Sequence, residues 1–254
     1  MAVTQGSFGQ CRVWDDFLGP DNDLTWGTGT VKVGNFGFVS VNEGTFEWTI
    51  DEGNGVLAIT TDTGDDDNAA LFAGTFIPSV NGPLICEARF KFNSATLGSV
   101  FCGFTQTLAL DTPVMPMEFA TATMTYNGTG QILGENYDVD GTTDDFRASA
   151  GTAGAVTGTN YATNAALAAT GIRANETLTA DEWHITRVEL SGDGIGTIWH
   201  GHKGRQLDQI VRITGLGTTN ALNAMCMIEN RTANARILEV DYGYASGSRD
   251  WEVT

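Results

Sequence analysis

The chain has 254 residues, with 31 Asp and Glu against 13 Lys and Arg, a formal net charge of −18 and a hydrophobic share of 41%. So acidic a surface repels phosphate, and no apolar run is long enough for a membrane helix, so neither nucleic acid nor a membrane is expected as a partner. Thirty-two glycines against five prolines point to many tight turns, and the length suits one all-β domain over residues 1–254.

Met1 to Gln10 are small and polar and are expected to form an arm or an edge segment. They hold no basic region and no apolar stretch, so no secretory signal is expected and the product should stay in the cytoplasm unless a particle carries it out. Residues 12–18 read as a short strand, followed by the turn Gly19-Pro20-Asp21-Asn22-Asp23. Residues 24–33 and 37–42 read as two more. Phe46, Trp48 and Ile50 alternate with polar neighbours, as in a half-buried strand. Residues 56–61 follow the turn Gly53-Asn54-Gly55, and an acidic loop at 62–68 leads into a strand at 69–76.

Residues 84–92 alternate well. Ile85, Glu87, Arg89 and Lys91 share one face, while Leu84, Cys86, Ala88, Phe90 and Phe92 share the apolar one. Residues 99–110 resemble a central strand. The region 111–180 is rich in Thr, Ala, Gly and Asn and is expected to be a loop-rich insertion. Strands are expected within it at 120–126, 131–133 and 146–148, with a short helix or an Ala-rich loop at 161–169. From 183 the alternation returns: Trp183, Ile185, Arg187 and Glu189 on one parity, His184, Thr186, Val188 and Leu190 on the other. Ser191-Gly192-Asp193-Gly194 supplies a hairpin turn. Strands at 195–200, 207–213, 224–229 and 236–245 complete a five-strand antiparallel series.

About a dozen or more short strands with Gly-rich turns predict an all-β antiparallel sandwich of jelly-roll type. Trp14, Trp26, Phe46, Trp48, Phe90, Phe92, Phe104, Trp183 and Trp199 are expected to fill its core. Cys11, Cys86, Cys102 and Cys226 show no metal or redox spacing, and the last three lie in apolar runs as expected buried thiols.

Candidate chemistry is sparse. Asn136, Asp138, Asp140 and Asp144 space oxygen donors as the opening of a calcium loop does, with Gly141 at the sixth position. The twelfth position holds Arg147 where an EF-hand needs a bidentate Glu, so only a looser Ca²⁺ site is open there. His200 and His202 share a strand face, as zinc ligands can, but no third ligand follows from spacing. Glu239 and Asp241 face one side of a strand, with Leu238, Val240 and Tyr242 on the buried side. No nucleophile elbow or dinucleotide loop is present, and no catalytic residue is assigned.

Two stretches resemble a known family. Residues 183–203 are similar to the Trp-x-x-x-Arg-Val hairpin of concanavalin-A-like lectin and glucanase domains. Residues 227–242, with Arg12 to Phe17 and Ala88 to Lys91, resemble strands of such domains in tailed-bacteriophage virion proteins. Glucanases of this fold use a Glu-x-Asp-x-x-Glu set, but Tyr244 stands at the third position here, so hydrolysis is not expected. The resemblance implies a non-enzymatic virion protein. A capsid decoration role is the first expectation, with the phage major capsid protein as partner, a trimer on the shell, and contacts through Met1 to Gln10 and the middle loops. The alternative is a carbohydrate-binding adhesin or fibre tip that recognises host polysaccharide.

Overall fold

Side chains that alternate between apolar and polar can bury only one face of a strand, so such strands must stack in facing layers. The computed structural model describes residues 10–17, 24–25, 29–42, 44–49, 55–106, 113–141, 143, 145–202 and 206–248. In chain order the strands begin β1 (Gln10–Asp15), β2 (Leu24–Thr25), β3 (Gly29–Val33), β4 (Phe36–Ser40), β5 (Thr45–Trp48), β6 (Leu57–Thr60) and β7 (Asn68–Phe76). After a short helix, α1 (Pro78–Asn81), come β8 (Leu84–Phe92), β9 (Gly98–Thr105), β10 (Met117–Ala120), β11 (Thr123–Tyr126), β12 (Gln131–Asp138) and β13 (Asp145–Thr152). The remainder are β14 (Ala155–Val156), β15 (Thr159–Asn160), β16 (Ala165–Ala166), β17 (Ile172–Thr177), β18 (His184–Leu190), β19 (Gly196–His202), β20 (Asp208–Thr214), β21 (Leu222–Asn230) and β22 (Ile237–Ser248).

Two large antiparallel sheets form the body, as the alternation predicts. Sheet A has 11 strands in the order β16-β15-β20-β19-β18-β8-β22-β6-β5-β2, with β1 added on β22. Sheet B has nine, in the order β14-β13-β12-β9-β21-β7-β4-β3, with β17 added on β13. The expected five-strand series at the end of the chain is divided. β18, β19 and β20 stay adjacent in sheet A, β21 crosses to sheet B beside β9, and β22 returns to pair with β8. Strand β21 is buried on both faces, which suits a central position in sheet B rather than a fourth place at the edge of sheet A.

The core lies between the sheets. Leu84, Cys86, Ala88, Phe90 and Phe92 of β8 face Val100, Cys102 and Phe104 of β9 and Leu133 and Tyr137 of β12. Full burial contributes about 1.5–3 kcal/mol for each Val, Leu or Phe side chain among them. The buried parity of β8 matches the sequence reading residue for residue. Cys86, Cys102 and Cys226 are buried free thiols, as expected.

The expected loop-rich region contains more order than its composition suggests. β12 and β13 are full strands of sheet B, and every residue of β12 is buried. Sequence alternation fails there because a hairpin, β10–β11, lies over the outer face of sheet B and removes the solvent side. Five of the six methionines of the chain, Met115, Met117, Met124, Met225 and Met227, meet in this second core. Gly151 lets the hairpin sit close: a Cβ there would lie 2.1 Å from Cδ1 of Tyr126. Residues 161–169 form a turn and the short strand β16, not a helix.

The aromatic residues divide. Phe46, Phe90, Phe92 and Phe104 are core, and Trp48 packs half-buried against it. Trp14 is 49% exposed, and Trp183 and Trp199 are half-buried on the outer face of sheet A, so these three are not core residues. Trp14 and Trp199 stand on the strand parity opposite to the buried one, and Trp183, just before β18, lies against Arg89 and Lys91. Trp26 lies outside the described residues, as do Met1 to Gly9 of the expected arm, whereas Gln10 opens β1.

Candidate functional site

The outer face of sheet A carries a row of side chains in register. Trp14 on β1 pairs with Tyr244 on β22, Tyr244 with Glu87 on β8, and Glu87 with Arg187 on β18. A shift in the β22–β8 register between Val240 and Tyr242 adds one residue to β22. Such a bulge reverses the parity beyond it. Tyr242 therefore stands on the outer face, not on the buried face as its spacing from Val240 predicts. It joins Trp14, Tyr244, Glu87 and Arg187 around an open groove of ≈ 320 Å³.

Hydrogen bonds fix the floor of this groove. The Tyr242 hydroxyl donates to Oε1 of Glu87 at 2.7 Å, and Nη1 of Arg187 donates to Oε2 of the same carboxylate at 2.9 Å. Nε of Arg187 also donates to Oε1 of Glu189 at 2.7 Å. Burial pulls the Arg187 pKa down, but the hydrogen bonds and charges of Glu189 and Glu87 outweigh it, and the net direction is up. Burial, then the hydrogen bond to Glu87, push the Tyr242 phenol up. Arg187 therefore stays charged and Tyr242 neutral around neutral pH. Its polar atoms are held in place, and its aromatic wall stands open to water.

The expected carboxylate pair Glu239 and Asp241 does share this face. Each is tied to a cation: Glu239 to Nζ of Lys91 at 2.6 Å, Asp241 to Nη1 of Arg89 at 2.5 Å. The Arg89 guanidinium and the Lys91 ammonium lie over the Trp183 ring, 4.4 and 4.9 Å from its centroid. This arrangement makes a charged, self-satisfied surface rather than a general acid opposite a nucleophile.

The expected calcium ligands fall elsewhere. Asn136 and Asp138 project from β12 beneath the hairpin. Nδ2 of Asn136 donates to the Met117 carbonyl at 2.8 Å and to Oγ of Ser99 at 3.1 Å. Oδ2 of Asp138 accepts from Nη2 of Arg231 at 2.6 Å and from the Phe119 N–H at 2.7 Å. Its Oδ1 accepts from the Asp140 N–H at 3.0 Å. Asp140 lies on the turn beyond the strand, with its side chain 56% exposed, and Asp144 lies outside the described residues. The cation at this place is Arg231 itself. It also faces Glu229 at 2.9 Å, Asp66 at 3.4 Å and Glu118 at 3.6 Å. Among the described donors, both Asp138 oxygens are engaged and a guanidinium is seated among the carboxylates. Among the described residues no cluster of three or more His, Cys, Asp or Glu side chains could hold a metal.

The three histidines gather inside the sandwich. His200 and His202 share a face as expected, and the pairing of β18 with β19 brings His184 beside them. Nδ1 of His200 lies 2.9 Å from Oε2 of Glu135, which also accepts from the Thr186 hydroxyl at 2.5 Å. Nδ1 of His184 is 3.2 Å from Nε2 of His200. Nε2 of His202 lies 2.7 Å from Glu182, and its ring stacks on His184 at 4.5 Å. Burial lowers the His200 pKa, yet the charge and hydrogen bond of Glu135 outweigh this and raise it. The cluster is a buried hydrogen-bonded network in which Glu135 of sheet B meets His200 of sheet A. Sequence reasoning missed Glu135 because β12 shows no alternation.

No family model matches this chain, and no curated protein matches it in sequence. Its fold has counterparts among solved structures. It is similar to a protein of unknown function, SO2946, from Shewanella oneidensis MR-1, with a TM-score of 0.51 at 12% identity over 100% of this chain and 92% of that one. It is similar to the carbohydrate recognition domain of Emp47p, with a TM-score of 0.50 at 11% identity over 94% of this chain and 95% of that one. At these identities the similarity establishes a lectin-like jelly-roll fold and nothing finer.

Proposed function

We propose that this domain binds carbohydrate without altering it chemically, through the groove on the outer face of sheet A. The observation that carries this reading is Trp14, 49% exposed beside Tyr244 and Tyr242, next to a clamped carboxylate–guanidinium pair. A pyranose ring presents an apolar C–H face and a rim of hydroxyls. An indole wall takes the first, and fixed donors and acceptors take the second. A rigid floor leaves little side-chain entropy to lose on binding. The lectin-like fold is an argument by analogy in the same direction.

The absence of chemistry is part of the proposal. Glycoside hydrolysis needs two carboxyl groups on opposite sides of the bond, one of them protonated. Glu87, Glu189, Glu239 and Asp241 are each ion-paired with Arg187, Lys91 or Arg89. Capsid decoration, the first expectation from sequence, gains no support from the groove or from the comparisons. A glycan array tests the reading: wild type binds a defined set of neutral glycans and releases no product, and Trp14→Ala loses that binding. Retention of every signal by Trp14→Ala rejects this groove as the site.

A further inference from the structure

The row that forms the groove does not end at Arg187. Arg187 pairs in turn with Trp199 on β19, so Trp14, Tyr244, Glu87, Arg187 and Trp199 lie side by side across five adjacent strands. We propose that this row is an extended binding strip for a linear, uncharged β-1,4-linked glycan that runs across the strands, with an aromatic platform at each end. The proposal rests on the carbohydrate-binding reading and names the ligand class for the same face.

The spacing supports a chain rather than a single sugar. Neighbouring strands lie about 4.8 Å apart, so four strand steps separate Trp14 from Trp199 by about 19 Å. A sugar in an extended β-1,4 chain advances by close to one strand spacing. Each residue of the row can then meet one sugar, and four or five sugars fill the strip. Beyond Trp199 the β19–β20 register shifts between Ile198 and Trp199. Bulges commonly re-aim a side chain or end a regular surface. The regular row therefore runs as far as Trp199, whose partner across this shift is Gln209 on β20, and β1 is its last strand on the Trp14 side among the described residues.

Charge selects the class of sugar. Arg187 is the cation of the row, and it is held by Glu87 at 2.9 Å and by Glu189 at 2.5 Å. Two carboxylates on one guanidinium leave the centre net negative, within a chain of net charge −18. A uronate or a sulfated glycan meets repulsion there. An uncharged chain meets fixed acceptors and donors suited to hydroxyls.

The test is calorimetric titration with β-1,4-linked gluco-oligosaccharides from disaccharide to hexasaccharide. Affinity is expected to rise by about tenfold or more along the series, equivalent to about 1.4 kcal/mol. Trp199→Ala should bring the hexasaccharide down to the wild-type disaccharide level, and Trp199→Phe should keep part of the gain. Val80→Ala, at an exposed position on α1, is the control for handling and leaves the series unchanged. Far-UV and near-UV dichroism confirm that each variant is folded. A flat affinity along the series, or a folded Trp199→Ala that retains the full gain, overturns the strip. A protein that binds other glycans on an array but not this series keeps the groove and loses the strip. A protein that binds no glycan at all loses both.

Discussion

Glu87 and Arg187 are direct cross-strand partners on β8 and β18, and the Arg187 guanidinium bridges Glu87 to Glu189 on the outer face of sheet A. Both members are partly exposed, so the pair stabilises the fold only modestly. Arg187→Met is expected to lower unfolding free energy by about 1 kcal/mol, the usual range for an exposed ion pair. The same change leaves Glu87 facing the groove with Tyr242 as its remaining hydrogen-bond donor from this network. Glycan affinity should therefore fall by about tenfold, more than stability predicts. Urea unfolding and calorimetry on one preparation separate the two effects.

At the end of β21, burial pushes the Glu229 carboxyl up to about 8 although Arg231 opposes the shift. The folded state thus holds a proton that the unfolded chain, with an ordinary carboxyl near 4.3, has already released. Its stabilising contribution is complete below the unfolded pKa and is lost as pH rises through about 8. Glu118 and Asp140, both raised by burial first, carry the same sign. Stability is expected to fall between pH 5 and pH 9, by at most about 1.4 kcal/mol per pH unit for each proton. Glu229→Gln should flatten the slope; chemical denaturation across that range measures it.

Glu135 and His200 are both almost fully buried and join sheet B to sheet A. Removing one partner strands the other in the core. Glu135→Ala is expected to lower stability by about 3–5 kcal/mol, whereas replacing both with apolar residues of similar volume recovers most of it. The raised His200 pKa adds a pH term: its contribution is complete below the free imidazole value of about 6.5 and is lost as pH rises through the folded value. Proton NMR of the His200 ring follows that titration directly.

The hairpin over sheet B depends on Gly151. A methyl group there meets the body of the Tyr126 ring at 2.1 and 2.2 Å, not a flexible tip, so β11 must move. Gly151→Ala should lower stability by about 1–3 kcal/mol, as overpacking does, and should speed amide exchange in β10 and β11 before the rest of sheet B. Exchange mass spectrometry reads both effects.

Much of the fold was legible in the sequence where one face of a strand is wet. β8 and β18 alternate cleanly because their outer side chains meet water, and their bounds and parity follow from that. β12 and β13 were legible only in part, at 131–133 and 146–148, because a hairpin covers one face and the core covers the other, so small and polar residues are buried on both sides. The candidate site was half legible. Glu87 and Arg187 stood on the predicted outer parity, but Tyr242 was placed inside because one inserted residue in β22 reverses the count. Trp14 and Trp199 looked like core residues because hydrophobicity alone cannot tell a buried indole from an exposed platform. The contact of Arg231 with Asp138 was not legible, because the two lie 93 residues apart in sequence.

Tryptophan-selective oxidative footprinting with and without a saturating array-selected glycan tests the account most directly. Trp14 is expected to become protected, while Trp183, already covered by Arg89 and Lys91, does not change. Protection confined to other residues, with Trp14 oxidised at the same rate in both samples, contradicts it.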